Sequence, residues 1–327
     1  MSSILDQVLS VAVESTYGTA SGATPRSYEA KADTFSRDVE FIDSVGFRRD
    51  LQTIRSDRSD TVSLGATGSI EVDILDKGMG ILLQHCLGTA AGPTQQGATA
   101  AYRQTFSSDD TGPTGSYTAQ LSRVDSGGTL RPFTYEGSVI TGWTISQDLG
   151  AATSMTFEMD AENEQTSTGE FTPTYPSSAN VFTYTGAAIE IDDSAITTFT
   201  GFSLSADLAM KTDRRFLQGD ATKGQPKRSG VPSYTGSISG EFASLTQFAA
   251  FTAGTLFKLE FQVSGATAIE GAYYPHFLIT MPACKWTGST PVASLDDMTS
   301  IELPFVCLDN GSDAAVTIEY QSTDTAF

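Results

Sequence analysis

Histidine, the side chain that most readily moves protons near neutral pH, occurs only as His85 and His276. Neither belongs to an HxxxH pair of the kind that grips a metal from one helix face. Cys86, Cys284 and Cys307 are odd in number, far apart and without a CxxC pair, so spacing indicates neither a disulfide framework nor a zinc site. Gly236-Ser-Ile-Ser-Gly240 has the outline of a nucleophile elbow, but Ile238 stands where the serine must be. Asp309-Asn-Gly-Ser-Asp313 gathers oxygen ligands yet lacks the downstream spacing of a calcium loop, and reads as a hairpin turn. The 39 acidic residues supply many accidental carboxylate pairs, and nothing singles out two for glycoside hydrolysis. These residue types predict no catalytic centre, no cofactor and no metal.

Charge is the stronger signal. With 39 acidic residues against 19 basic ones the formal charge is −20. Duplex DNA is gripped by lysine and arginine on its phosphates, so this chain is expected to repel it. The same repulsion keeps separate copies soluble. The first residues, Met1-Ser-Ser-Ile-Leu-Asp6, lack the basic region of a signal peptide. No apolar run reaches the ~18 residues of a membrane helix. The expected setting is a cytoplasm, with the thiols reduced and no membrane partner.

The elements that would carry these residues are mostly strands. Charged residues make up only 18% of the chain, while Gly, Ser and Thr are abundant, which suits an all-β protein with many turns. Thr67-Gly-Ser-Ile70 recurs as Thr235-Gly-Ser-Ile238. Each copy opens a polar–apolar alternation, Ser69-Ile-Glu-Val-Asp-Ile74 and Ser237-Ile-Ser-Gly-Glu-Phe242, the mark of a strand with one buried face. A short helix follows each. The first is predicted over Lys77–Leu87, capped by Asp76, with Met79, Leu82, Leu83, Cys86 and Leu87 on one face and Gly88 at its end. The second starts at a capping box formed by Ser244 and Gln247. It carries Leu245, Phe248 and Phe251 on its apolar face and closes at Gly254.

Other landmarks keep the same order: the arginine pairs Arg48-Arg49 and Arg214-Arg215 before the shared strand, and Trp143 and Trp286, each followed by Thr, after the helix. A loop and an alternating strand come next, Met155-Thr-Phe-Glu-Met-Asp160 and Ser300-Ile-Glu-Leu-Pro-Phe305. A further strand, Ala315–Tyr320, closes the second copy. The order predicts a duplication with residues 1–170 as one domain and 171–327 as the other, joined through the turn-rich stretch Thr166–Pro176. The first copy is longer between helix and tryptophan. The excess falls at 90–98 and 107–116, predicted as surface loops or a hairpin tip, with a disordered insertion as the alternative. The two tryptophans read as core or interface anchors.

Alternating strands around one short helix, present twice, together with Val13-Glu-Ser-Thr-Tyr-Gly-Thr-Ala20, the Gly-Ser-Ile strand and Leu303-Pro-Phe305, resemble the tail tube proteins of long-tailed, siphovirus-like phages. The resemblance implies a mainly β fold of two tandem β-sandwich or barrel domains, each with one flanking helix. It also implies a structural virion protein and no enzyme. Six tube domains to a ring would be met by three chains, the rings stacking into a hollow conduit for DNA ejection. The implied partners are further copies of the chain, a tape-measure protein inside, and tail terminator and tail-tip proteins at the ends. Assembly is expected in the host cytoplasm and residence in the virion tail, with DNA passing without specific binding. The rival readings are a carbohydrate-binding or adhesive β-sandwich of a decoration or fibre protein, and the inner tube of a contractile injection machine.

On this reading the acids of the strand faces, Glu71, Asp73, Glu158, Asp160, Glu241, Glu302 and Glu319, are expected to line the lumen. Repulsion confined to ~8 Å by physiological salt keeps DNA from adhering without closing the channel. The stretch Lys211–Gly230 is locally basic, and its first-copy counterpart Phe47–Asp60 mixes four arginines with aspartates. Arg48, Arg49, Arg214, Arg215, Lys227 and Arg228 are therefore expected to dock against the acidic surface of the next ring.

Overall fold

The computed structural model describes residues 5–327 except 51, 218, 289 and 291–298. Residues 1–4, and most of the loop expected between Trp286 and Ser300, lie outside the described residues. The first half runs β1 (Val8–Val13), β2 (Arg26–Tyr28), β3 (Ala30–Asp33), β4 (Ser36–Asp43), β5 (Ser59–Asp73), helix α1 (Gly80–Gln84), β6 (Thr89–Gln95), β7 (Tyr102–Ser107), β8 (Tyr117–Val124), β9 (Leu130–Asp148), β10 (Ser154–Ala161) and β11 (Asn163–Gln165). The second half runs β12 (Ala187–Ile191), β13 (Ser194–Ala195), β14 (Phe199–Asp207), β15 (Met210–Lys211), β16 (Lys227–Arg228), β17 (Ser233–Glu241), helix α2 (Thr246–Ala253), β18 (Phe257–Ser264), β19 (His276–Trp286), β20 (Ser300–Cys307) and β21 (Thr317–Ser322). The molecule is mainly β, as composition and alternation predict.

Every described strand pairing is antiparallel. In the first half β10 lies between β5 and β9; in the second β20 lies between β17 and β19. Inward residues set these registers. Phe157 faces Ile70 on one side and Trp143 on the other, and all three are buried. A one-residue slip would turn the whole apolar set outward. In the second half Phe202 stacks on Phe261, Phe257 stacks on Trp286, and Trp286 meets Phe305 edge-on. Both tryptophans are core anchors, and the indole N–H of Trp143 donates to the Cys86 carbonyl at 2.8 Å.

The halves are joined along two seams. β14 pairs with β9, placing Trp143 opposite Ala206 and Ile145 opposite Leu204. The final strand β21 pairs with β7, placing Ile318 opposite Phe106. These seams merge the halves into one 19-stranded sheet wrapped around its core. The sequence stretch 90–98 belongs to the β6–β7 hairpin. The motif at 13–20 also has a structural account. The Glu14 carboxylate accepts from Thr118 Oγ1, Ser116 Oγ and the Gly18 and Gly137 amides, pinning the chain beyond β1 to β8 and β9.

Both helices differ from expectation. α1 is confined to Gly80–Gln84 because its expected cap is engaged elsewhere: Asp76 accepts from the amide and the side-chain Nδ2 of Asn180. The Gly78 amide goes to Asp324. The apolar face is as expected, with Met79, Leu82, Leu83, Cys86 and Leu87 all buried. α2 has no side-chain cap on its first residue. Ser244 Oγ instead accepts the Thr246 N–H at 3.3 Å, and Gly254 closes the helix at φ 64°, a conformation glycine adopts without strain. Its apolar face is not buried within the chain: Leu245 and Phe248 are exposed and Phe251 is only partly covered.

Candidate functional site, a hydroxyl-lined sheet face

The outward face of the β5–β10–β9–β14–β17–β20 surface is built by alternation. On β5, β10, β9, β14 and β17 the paired residues between the core positions are serine, threonine, acid or glycine, and the registers bring them into rows that end on β20 at Pro304 and Val306. One row runs Asp73, Ser154, Ser146, Ser203 and Ser237 across five adjacent strands. The next runs Glu71, Thr156, Thr144, Ser205 and Thr235. Hydroxyl pairs tie neighbouring strands: Ser146 with Ser154 at 2.9 Å, Thr144 with Ser205 at 2.9 Å and Ser203 with Ser237 at 3.1 Å. The middle bond crosses the β9–β14 seam, so both halves form one wall. Gly142 permits that close approach, since a Cβ there would stand 2.9 Å from the Ala206 carbonyl oxygen.

Acids stud this hydroxyl surface. Glu158 lies opposite Ser69 and Gly142, and Glu302 opposite Ser239. Glu241 ends β17 opposite Ser300. Glu71 and Asp73 sit at the β5 side, where Lys31 reaches Asp73 at 2.6 Å and Glu71 at 4.0 Å. The structure thus brings Glu71, Asp73, Glu158, Glu241 and Glu302 onto one face. A wall of short hydroxyls and spaced carboxylates offers hydrogen bonds to water and repels polyanions. Among the described residues no cluster of three or more His, Cys, Asp or Glu could hold a metal. No described helix is long and apolar enough to cross a membrane.

Two expected members are placed elsewhere. Asp160 continues the polar side of β10 but is buried beneath Lys223, whose ammonium lies 2.5 Å from Asp160 Oδ1. Burial pushes its carboxyl up while Lys223 pulls against that shift. An acid sealed inside the chain cannot face a lumen. Glu319 lies on β21, between β19 and β7, where it pairs with Arg103 at 3.2 Å, away from the hydroxyl rows.

The basic loop between β14 and β17 folds back on its own chain. Arg215 donates to the carbonyls of Ala221 and Leu64 at 2.7 and 3.1 Å, Arg228 to those of Leu208 and Asp109, and Arg214 to that of Gln225. Gln225 reaches Thr114 O, and the Leu64 N–H returns a bond to Ala221. Arg214 and Arg228 are half-buried on carbonyls of their own chain, while Arg215 makes its two bonds at the surface and stays exposed. Arg48, Arg49 and Lys227 remain exposed. Arg48 and Arg49 lie in the connection of the β4–β5 hairpin, whose end presents Phe41 and Ile42 of β4 and Val45 and Phe47 of the connection to solvent.

Sequence reasoning named the acids of this face and missed its hydroxyls. Their signal is visible in the sequence as period-two pairs, Thr144 and Ser146, Ser203 and Ser205, Thr235 and Ser237. A family model described as phage tail tube protein matches residues 5–321. No curated protein matches the chain.

Proposed function

The chain belongs to the phage tail tube protein family, a structural role in a virion tail, and we propose that three copies close into a ring whose stacked repeats form the conduit for DNA ejection. The observation that supports this reading is the hydroxyl-lined face, which runs from β5 to β17 across both halves, with Glu302 beyond it on β20. On this reading each half is one tube domain of a duplicated subunit, 1–170 and 171–327, and three chains supply a pseudo-sixfold wall. β3 and β4 pair only with β5 among the described residues, so the far edge of β4 carries free backbone groups, a template for another chain. The β9–β14 seam, where half meets half inside one chain, is the pattern for the joint between chains.

The wall acids, Glu71, Asp73, Glu158, Glu241 and Glu302, then face passing DNA. Contacts between rings are heterologous and leave an open polymer. The exposed Arg48, Arg49 and Lys227, with the apolar hairpin tip, serve that stacking. Tape-measure, terminator and tail-tip proteins complete the assembly, which takes place in the host cytoplasm before the tail joins a siphovirus-like particle. Negative-stain electron microscopy over a concentration series tests the reading. Hollow tubes or rings with three chains each are expected. Persistent monomers that bind glycans would favour an adhesive β-sandwich, and rings of six chains would refute the duplicated wall.

A further inference from the structure

Cys284 and Cys307, with 22 residues between them in sequence, are opposite residues of β19 and β20. The Leu308 N–H donates to the Ala283 carbonyl at 2.8 Å, which makes 283 and 308 a hydrogen-bonded pair. The next pair, Cys284 with Cys307, is then of the non-hydrogen-bonded kind, whose Cα atoms lie about 4.5 Å apart. A disulfide spans Cα separations of about 4.4–6.8 Å. The two sulfur atoms are 3.7 Å apart, with the Cys284 thiol donating to Cys307 Sγ. Both residues are buried, Cys284 at 0% and Cys307 at 7% exposure. Cys86 lies under Trp143 in the other half, with no thiol neighbour among the described residues.

We propose that Cys284 and Cys307 are the site of a cross-strand disulfide, closed by exchange with a low-molecular-weight disulfide. The less enclosed Cys307 reacts first. Its thiol loses a proton and the sulfur attacks the reagent, whose S–S bond breaks to release one thiolate that takes up that proton. Cys284 sulfur then attacks the mixed disulfide at Cys307, the second reagent sulfur leaves, and the Cys284 proton goes with it. The protein pair is oxidised by two electrons and the reagent is reduced to two thiols. Cys284 suits the resolving role because its sulfur already stands 3.7 Å from Cys307 Sγ, within reach of the mixed disulfide, and it gives up its proton as it attacks. The link would tie β19 to β20 beside the Trp286–Phe305 contact and close the intervening chain into a loop, restricting the unfolded state.

The experiment exposes the folded protein to oxidised glutathione, in buffer and again in urea below the unfolding midpoint, and counts free thiols by alkylation and mass spectrometry. One free thiol, on Cys86, and a peptide cross-linked through 284 and 307 are expected. The melting temperature should rise on the order of 5 °C. Cys284→Ser should instead accumulate a glutathione adduct on Cys307, since no resolving thiol remains. Three free thiols at equilibrium under both conditions overturn the proposal, as does a stable adduct on the wild-type chain or a link between chains.

Discussion

Thr144 on β9 and Ser205 on β14 face each other with hydroxyl oxygens 2.9 Å apart, a side-chain bond across the joint between the two halves. Cross-strand hydroxyl pairs contribute a few tenths to about 1 kcal/mol. Thr144→Ala, Ser205→Ala and the double variant, unfolded in urea, should therefore give a coupling energy of about 0.5–1 kcal/mol. A coupling of zero would mean that the backbone ladder alone holds the seam.

Lys223 closes the second-half loop onto Asp160, and both side chains are nearly inaccessible. Removing one partner of such a pair strands the other charge. Lys223→Ala should cost about 3–5 kcal/mol of stability, and Lys223→Met combined with Asp160→Leu should recover most of it. Urea denaturation distinguishes the cases. A loss below about 1 kcal/mol for Lys223→Ala would show that water reaches Asp160 once the lysine is gone.

These two contacts mark what was legible in the sequence. Alternation disclosed the strands carrying Ile70, Phe157, Ile238 and Phe305, because core faces impose period two on each strand separately. The rows of Ser146, Ser203 and Ser237 were not legible, since they exist only once β9, β14 and β17 are adjacent. The helix expected from Lys77 starts only at Gly80, because Asn180, distant in sequence, takes the Asp76 carboxylate. The bonds of Arg215 and Arg228 were not legible either, because their acceptors are backbone carbonyls, which no side-chain pattern announces.

Acid stability should follow the two histidines. Burial pushes both His85 and His276 down to about 4, below the ordinary value near 6.5. Between those values the unfolded chain binds the proton that the folded chain refuses. Stability is therefore full above the unfolded value and falls as pH drops through this window, by up to about 1.4 kcal/mol per pH unit for each histidine. Glu136 and Glu162, raised chiefly by burial, work the opposite way at the acid end of the window. His276→Gln should flatten the fall between about pH 6 and 5, measured by urea titrations at each pH. An unchanged slope would place the acid sensitivity elsewhere.

The apolar hairpin tip and the face of α2 are open on the single chain. Ile42, Phe47 and Leu245 are 56%, 113% and 66% exposed. Surface substitutions at such sites change stability by about 0.5 kcal/mol or less, so Ile42→Ser, Phe47→Ser and Leu245→Ser should melt like the parent. Each should raise the concentration at which tubes form, since an assembled contact would lose its apolar cover. Light scattering during concentration, paired with melting curves, reads both quantities. Assembly at the parent's concentration by all three variants would mean that these surfaces remain in solvent within the tube.

The wall acids make the sharpest demand on the proposed conduit. Lys31 offsets Asp73 and Glu71 at one side, while Glu158, Glu241 and Glu302 have no basic partner within salt-bridge distance among the described residues. Repulsion from the wall decays over about 8 Å in physiological salt, so neutral variants should matter most where the wall approaches the phosphates. Virions carrying Glu158→Gln, Glu241→Gln and Glu302→Gln together should assemble normally and eject DNA more slowly. The deficit should grow as ionic strength falls, because salt screens the parent's repulsion. Lys31→Gln should act in the opposite direction by freeing Asp73. Ejection kinetics unaltered in all of these, at low and high salt, would mean that the hydroxyl face does not line the channel.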